Sequence, residues 1–200
     1  KVINIFILIV FFSGVTNASD SLKHYKATRI FEPIKIDGQL TESAWTNTTS
    51  FSDFVMNRPI EGSVPTQKTE VRIVYDNTAI YVGAMLFDTA PDSILKELGL
   101  RDGADPSSNN GFTDINADYF RFVFDPYNTR QDAYDFGVYA SGIQADSRYS
   151  DFLFDAVWES AVKISDKGWC VEIKIPYSAI RFPSKPAAAA RTGGRLRRPA

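Results

Sequence analysis

Residues 157–183 read VWESAVKISDKGWCVEIKIPYSAIRFP, and this stretch decides the fold class of the chain. On either side of residues 165–168, large apolar residues alternate with polar ones, and a period of two is typical of a half-buried β-strand. The intervening Ser-Asp-Lys-Gly is a turn sequence whose glycine can supply a positive φ. The stretch therefore predicts a β-hairpin with Trp158 and Trp169 on its buried face.

The same alternation recurs along the chain, most clearly in DYFRFVFD at residues 118–125. There Phe120, Phe122 and Phe124 are predicted to point inward, with the residues between them pointing outward. Turn signals separate such runs about every 8–12 residues, a spacing typical of β-sandwiches.

These patterns predict an all-β fold, an antiparallel β-sandwich with one short helical turn. The turn is expected over residues 41–45, TESAW, with Thr41 as its N-cap. A domain of about 165 residues buries roughly 70% of its unfolded surface, which is enough for a core without disulfides. The single cysteine, Cys170, also excludes an internal disulfide.

Both ends of the chain differ from its middle. Residues 2–12, VINIFILIVFF, are too few to cross a bilayer of roughly 30 Å as a helix, and small residues follow them. This pattern predicts a signal peptide over residues 1–18, with a membrane anchor or a buried first strand as the alternative. Residues 185–200 predict an unstructured tail: a linker, a vector scar or a fragment end. The folded domain is therefore expected over residues 19–184.

The charge of the chain argues against nucleic acid as a partner. The whole chain has 22 basic and 24 acidic residues, and the two ends hold six of the basic ones and none of the acidic ones. The expected domain therefore has 16 basic and 24 acidic residues, a net charge of −8. Since phosphates attract basic surfaces, this composition favours neutral or cationic ligands.

Several short motifs follow one another in an order that resembles a known family. They are IDGQLTESAW (36–45), TEVRIVYDNTAIYVGAMLFD (69–88), RD (101–102), FDP (124–126), GIQAD (142–146), WESA (158–161) and GWCVEIKIPYSAIRFP (168–183). Together they resemble the family 9 carbohydrate-binding-module-like domain, in the form found at the N-terminus of bacterial outer-membrane proteins that carry a C-terminal β-barrel.

This resemblance implies a jelly-roll or immunoglobulin-like sandwich that binds an oligo- or polysaccharide without cleaving it. It also implies an exported protein that is periplasmic, outer-membrane-associated or extracellular and takes part in carbohydrate catabolism. In some members of the family the domain carries structural calcium. The barrel domain would then be a partner absent from this chain.

Sugar sites combine an aromatic face, which covers the C–H patches of the ring, with planar polar side chains that bond the hydroxyls. The outward aromatic residues Tyr119, Tyr139 and Tyr149, with Arg121 beside Tyr119, predict such a platform. Family members also clamp sugars with tryptophans, which makes Trp158 a further candidate. Its strand parity favours a place in the core, and the sequence leaves both interpretations open.

The polar loop from residue 101 to 117 is the candidate metal site. Ca²⁺ takes six to eight oxygen ligands from carboxylates, amides and carbonyls. Asp102, Asp114, Asn116 and Asp118 supply these groups, although their spacing follows no fixed calcium motif. A solvated polar loop is the alternative.

Two other functions have weaker support. Glu159 and Glu172 lie on adjacent predicted strands and could form a catalytic carboxyl pair, but both take outward positions where glutamates are common, so no enzymatic activity is expected. Met56, Met85 and a poorly placed His24 give no basis for haem binding. A structural or interaction domain that binds no sugar is the main alternative.

Overall fold

The computed structural model describes residues 23–102, 115–149, 151 and 153–181. In these residues eight strands form two sheets, one in the order β1-β2-β3-β8-β7 and one in the order β4-β5-β6. The strands are β1 Thr28–Arg29, β2 Thr69–Tyr75, β3 Ala79–Phe87, β4 Tyr119–Phe124, β5 Tyr134–Tyr139, β6 Gln144–Arg148, β7 Glu159–Ser165 and β8 Gly168–Pro176. All pairs are antiparallel except β1 with β2. The predicted antiparallel β-sandwich is confirmed.

Helical structure is short in the described part of the chain. It comprises one α-helix, α1 Ser43–Thr46, and two 3₁₀ turns, Pro91–Ser93 and Tyr177–Ala179. The helical turn predicted near residue 41 is confirmed, but its N-cap is Glu42 and not Thr41. Within the described ranges, no helix combines the length and apolar character that crossing a membrane requires.

The hairpin predicted from residues 157–183 is formed by β7 and β8. Ser165 pairs with Gly168 at the turn, and Gly168 has a φ of +128°. A Cβ atom at this glycine would lie 2.1 Å from the carbonyl oxygen of Leu86, so the turn requires glycine for space as well as for conformation. Trp158 and Trp169 are 5% and 0% exposed, so the predicted burial of Trp169 is confirmed and, of the two interpretations of Trp158, the structure supports the core position.

The main core lies between the two sheets. From β4 it takes Phe120, Phe122 and Phe124, and from β8 it takes alternate residues beginning with Trp169. Burial of each large apolar side chain stabilises the fold by about 1.5–3 kcal/mol. Period-two alternation in the sequence therefore becomes two apolar faces that bury each other.

The outer face of the five-stranded sheet is also covered, because the irregular segment before β2 packs across it. Glu172 points to this face, and its side chain is fully buried. Its Oε2 accepts hydrogen bonds from the backbone N–H groups of Asp37, Gly38 and Gln39 at 2.8, 2.7 and 3.3 Å, and its Oε1 accepts one from Trp45 Nε1 at 2.8 Å. The prediction of an exposed position for Glu172 is wrong, because alternation identifies the face of a strand and not what covers it.

Close packing over Gly83 completes this back layer. A Cβ atom at Gly83 would lie 2.5 Å from Leu40 Cδ2 and 3.1 Å from the ring of Trp45. Trp45 itself is 0% exposed. The glycine on β3 therefore allows the indole to reach the sheet, where it meets the carboxylate of Glu172.

The two glutamates considered as a catalytic pair have separate structural roles. Burial raises the pKa of Glu172, and the N–H donors from Asp37, Trp45 and Gly38 act in the opposite sense. The Glu159 side chain is 58% exposed and pairs with Lys174 at 2.6 Å. The two residues lie on the same face of adjacent strands, but the Glu172 carboxylate is enclosed by its donors while Glu159 is paired with Lys174.

The short strand β1 lies at the end of the five-stranded sheet where β8 finishes. Arg29 in β1 pairs with Tyr75 in β2, and Ala79 in β3 pairs with Pro176 in β8. The hairpin turn that ends at Gly168 lies at the opposite end, beside Phe87.

We expect Glu172→Gln to destabilise the fold by about 1–3 kcal/mol, because an amide offers one acceptor oxygen to donors that now meet two. Urea unfolding at neutral pH measures the change. Glu159→Gln on the neighbouring strand is the matched control and should stay within about 0.5 kcal/mol of the native value, since exposed ion pairs contribute little. Equal stabilities for the two variants would contradict this role of Glu172.

Candidate functional site

The outer face of the three-stranded sheet brings together three of the five predicted sugar-binding residues. Tyr119 of β4 is directly opposite Tyr139 of β5, and Arg121 is opposite Gly137. The rings of Tyr119 and Tyr139 are 5.7 Å apart, centroid to centroid, and tilted by 56°. Because residues two apart share a face of a strand, Arg121 lies on the same side as both rings.

Arg121 is held by a buried carboxylate on the adjacent strand. Its Nε donates to Asp135 Oδ1 at 3.2 Å and its Nη2 donates to Asp135 Oδ2, which makes a two-pronged ion pair. The Asp135 side chain is 1% exposed and that of Arg121 is 22% exposed. Two parallel bonds fix the plane of the guanidinium, which lies on the same face of β4 as Tyr119.

Tyr139 does not have the exposed position predicted for it. Its side chain is 2% exposed and packs in a small cluster with Ala117, Ala145 and Tyr119. The segment around Ala117, which bridges to Lys96, packs beside this end of the sheet. Tyr139 therefore supports the partly buried ring of Tyr119 and is not itself a sugar platform.

Tyr149 is exposed, at 61%, but it lies away from the other two tyrosines. Its N–H bonds the carbonyl of Ala133 just beyond the start of β5. Six residues of extended chain separate Ala133 from Tyr139, which is about 20 Å. The predicted arrangement of three tyrosines at the spacing of one sugar ring is therefore wrong.

Trp158 lies in the core and ends in a polar network. Its ring meets Phe136 edge-on at 5.4 Å, and its Nε1–H donates to Asp146 Oδ1 at 2.8 Å. The Asp146 side chain is fully buried. Burial raises the pKa of Asp146 above its ordinary value, against the lowering effect of the hydrogen bonds from Trp158 and Ala156.

Arg101 is the centre of this network. Its Nη2 donates to Asp146 Oδ1 and to the carbonyl of Ala156, both at 2.6 Å, and its Nη1 donates to Gln144 Oε1 at 2.8 Å. Nε reaches Asp102 Oδ2 at 3.2 Å. Burial acts to lower the pKa of Arg101, but the neighbouring carboxylates, with Asp146 first, raise it above its ordinary value.

Asp102 connects the start of the polar loop to β6. Its φ of +53° lies in the left-handed region, which aspartate tolerates better than most residues. The Asp102 N–H donates to the Gln144 carbonyl at 3.0 Å, and its Oδ1 accepts the N–H of Asp146 at 2.8 Å. The loop is thus fastened to the edge strand at its first residues.

Of the predicted calcium ligands, Asp102 belongs to a cluster of carboxylates. It lies with Asp146 and Asp155, and oxygens of the three lie within 4.8 Å of one another. Those oxygens surround the guanidinium of Arg101, so with Arg101 in place the three carboxylates form an internal ion-pair network.

The other predicted calcium ligands are not part of this group. Asn116 is exposed, and its N–H donates to Glu97 Oε2 at 3.1 Å. Asp118 bonds Leu95 through its backbone. Asp114 lies outside the described residues. Calcium binding by these three residues stays a prediction.

Sequence reasoning missed four residues of these two networks: Arg101, Asp135, Asp146 and Asp155. Arg101 and Asp146 belong to the short motifs RD and GIQAD, which come together in space although 45 residues separate the two. A pairing of charged residues within those motifs was a usable signal. Asp135 and Asp155 carry no such signal in the sequence, because single aspartates near strand ends are common.

The fold and this face define a two-sheet β-sandwich domain with an aromatic and charged outer surface. The chain belongs to the carbohydrate family 9 binding domain-like family, whose model matches residues 36–194. The match includes the first part of the segment assigned to a tail. No curated protein matches the chain by sequence.

Two solved structures show the same fold. Both are of a carbohydrate binding module family 9 from Caldicellulosiruptor kristjanssonii, one in complex with cellotriose and one with glucose. Identity is 16% in each case, with TM-scores of 0.53 and 0.51. The first alignment covers 80% of this chain and 69% of that one, and the second covers 78% and 71%. At this identity the similarity establishes the fold alone.

We expect Trp158→Ala to cost about 3–5 kcal/mol of stability, because it deletes a buried indole. Tyr149→Ala, at an exposed position, should change stability by less than about 0.5 kcal/mol. Urea unfolding of both variants gives the comparison. A fully stable Trp158→Ala protein would show that this side chain belongs to a surface site.

Proposed function

We propose that the chain is a non-catalytic carbohydrate-binding module, and that its ligand binds against the outer face of β4 and β5. Membership of the family supports the class of ligand, as do the complexes of two similar structures with cellotriose and glucose. The observation that carries the proposal is the ion pair of Arg121 and Asp135 beside the tyrosine ring of Tyr119.

The residues of this face divide into contacting and supporting groups. Tyr119 and Arg121 are partly exposed, and in this proposal the ring face of Tyr119 and the exposed part of the planar Arg121 guanidinium contact the sugar. Tyr139 and Asp135 are buried behind them, so each contacting side chain is held by a neighbour on β5. Sites preorganised in this way lose less conformational freedom on binding.

The affinity expected from such a face is weak. A sugar in contact with one tyrosine gains about 0.5–1.5 kcal/mol beyond area burial, with aromatic pairs as the nearest yardstick. Hydrogen bonds from a guanidinium to neutral hydroxyls add modestly, because water competes for the same groups. Millimolar to micromolar dissociation constants, about −4 to −8 kcal/mol, fit this balance.

We expect Tyr119→Ala to weaken glycan binding several-fold, because it removes the ring that covers the C–H face of the sugar. A glycan array identifies a ligand, and titration calorimetry with that ligand, or with a cello-oligosaccharide, measures the change. Tyr127→Ala is the matched control, since Tyr127 is 40% exposed but lies beyond the end of β4. It should bind as the native chain does.

Arg121→Lys tests the polar half of the face. Lysine keeps the charge but loses the planar fork, so binding should weaken by a similar factor while circular dichroism stays unchanged. If both Tyr119→Ala and Arg121→Lys bind normally, the ligand lies elsewhere. If the native chain binds no glycan at millimolar concentration, the structural or interaction domain becomes the better function.

We infer further that the domain acts outside the cytoplasm, in an exported protein that takes part in polysaccharide catabolism at the outer membrane. The apolar run at residues 2–12 and the resemblance of the motifs support this setting. Mass spectrometry of the exported protein should find an N-terminus near Ser19. Retention of residues 1–18 on a released product would contradict a cleaved signal peptide.

A further inference from the structure

The guanidinium of Arg101 is surrounded by oxygen atoms from several separate parts of the chain. The five acceptors are Asp102 Oδ2, Gln144 Oε1, Asp146 Oδ1, Asp155 Oδ1 and the Ala156 carbonyl, at distances from 2.6 to 3.4 Å. We call these five oxygens the Arg101 cage. Four of these contacts to the cation are 3.2 Å or shorter: those of the Asp102 and Asp146 carboxylates and those of Gln144 and Ala156.

The composition of the cage resembles that of a calcium site in a protein. Calcium is bound by carboxylates, amide carbonyls and backbone carbonyls from an irregular set of positions, and all three kinds of oxygen occur here. The centre of the set, however, is a side chain that belongs to the protein. An arginine is permanently charged and offers five N–H donors in a plane.

We propose that Arg101 is the resident cation of this cage, so that its positive charge takes the place of a divalent metal ion at this position. The chain then needs no calcium to hold these segments together. Removal of the Arg101 side chain should convert the same oxygens into a divalent-cation site.

Hydrogen bonding within the cage favours the guanidinium over a metal. Asp146 Oδ1 accepts from Arg101 and from Trp158, and its Oδ2 accepts the N–H of Ala156 at 2.9 Å. Asp102 uses one oxygen for Arg101 and the other for the backbone of Asp146. While Arg101 is present, each carboxylate oxygen of Asp102 and Asp146 thus accepts at least one N–H group, and the guanidinium occupies the centre that an ion would need.

The distribution of charge in the cage also favours the guanidinium over a metal ion. Asp155 is 78% exposed, so water screens its carboxylate, and its contact with Arg101 is the longest at 3.4 Å. Asp146 is fully buried and has the shortest ion pair, at 2.6 Å. The permanent charge of Arg101 therefore mainly compensates a buried carboxylate, which would be costly to leave alone.

The cage connects segments that no strand pairing joins. Arg101 and Asp102 begin the polar loop, Gln144 and Asp146 belong to β6, and Asp155 and Ala156 lead into β7. Its structural effect is to hold the segment just before Trp158 against β6 and the start of the polar loop. This is the work that a structural metal commonly does in a domain without disulfides.

Thermal melting in millimolar calcium chloride and in EDTA tests the proposal on native protein, Arg101→Ala and Arg101→Ala/Asp155→Asn. We expect the melting temperature of Arg101→Ala in EDTA to fall by several degrees. Calcium should restore part of that loss, because it binds the folded state alone. The double variant should respond less to calcium, since it lacks one carboxylate. Any calcium response of the native chain at other residues is common to all three proteins and is subtracted.

Arg148→Ala is the matched control, because Arg148 is forked on a single carboxylate, Asp132, at 2.7 and 3.1 Å. It should lose stability without gaining a response to calcium. If Arg101→Ala does not fold, Arg101→Lys replaces it. We then expect a lowered melting temperature and a calcium response no larger than that of the native protein.

Where Arg101→Ala folds, either of two results would overturn the proposal. One is a native calcium response that disappears in Asp155→Asn, which would make the cage a metal site while Arg101 is present. The other is a folded Arg101→Ala protein whose response to calcium equals the native response. In Arg101→Lys, a calcium gain larger than the native one would likewise contradict it.

Discussion

The carboxylate of Glu172 joins the irregular N-terminal segment to the middle of the five-stranded sheet. Four N–H groups converge on its two oxygens, three from the backbone at residues 37–39 and one from Trp45. A buried carboxylate without partners would strongly destabilise a fold, and without this carboxylate the donors would be unsatisfied. The carboxylate and its four donors therefore depend on each other, and their contact fixes the position of the back layer on the sheet.

Both sheets contain buried carboxylates that need hydrogen-bond donors, and the donors differ between the two sheets. On the back of the sandwich, neutral N–H donors surround Glu172. On the three-stranded sheet, guanidinium groups do this work, with Arg121 on Asp135 and Arg101 on Asp146. The second solution leaves a partly exposed positive group beside each buried carboxylate, and such groups can take part in binding. The proposed sugar site therefore lies on the sheet whose buried charges are compensated by arginine.

Period-two alternation predicted the hairpin of β7 and β8, the inward face of β4 and the burial of Trp158, because each depends on neighbouring residues of one strand. It failed for Tyr139 and Glu172, which are outward by parity and buried all the same. Both are covered by irregular chain, which has no period for a sequence pattern to reveal. Three predicted sugar-binding residues did share one face, since strand register is itself a consequence of alternation.

The Arg101 network was missed for a related reason. Its members come from a loop, an edge strand and a connecting segment, and their contacts depend on the path of irregular chain between regular elements. Resemblance to a family identified the short motifs that contain Arg101 and Asp146 but not their contact. Fold class is thus encoded locally in this chain, whereas the polar networks are encoded by tertiary structure.

The register at the end of the five-stranded sheet has a consequence for how this domain can be built into larger molecules. β1 and β8, the first and last strands, reach the same end of that sheet, where Arg29 lies beside Tyr75 and Pro176 beside Ala79. A neighbour attached after β8 would therefore be tethered at this pole of the sandwich, and the β7–β8 turn would project from the opposite pole. The chain before β1 runs the other way, because β1 is parallel to β2 and Tyr25 stacks on Phe51, which bridges Val71. That segment leads back along β2 toward Thr69, away from the end of β8.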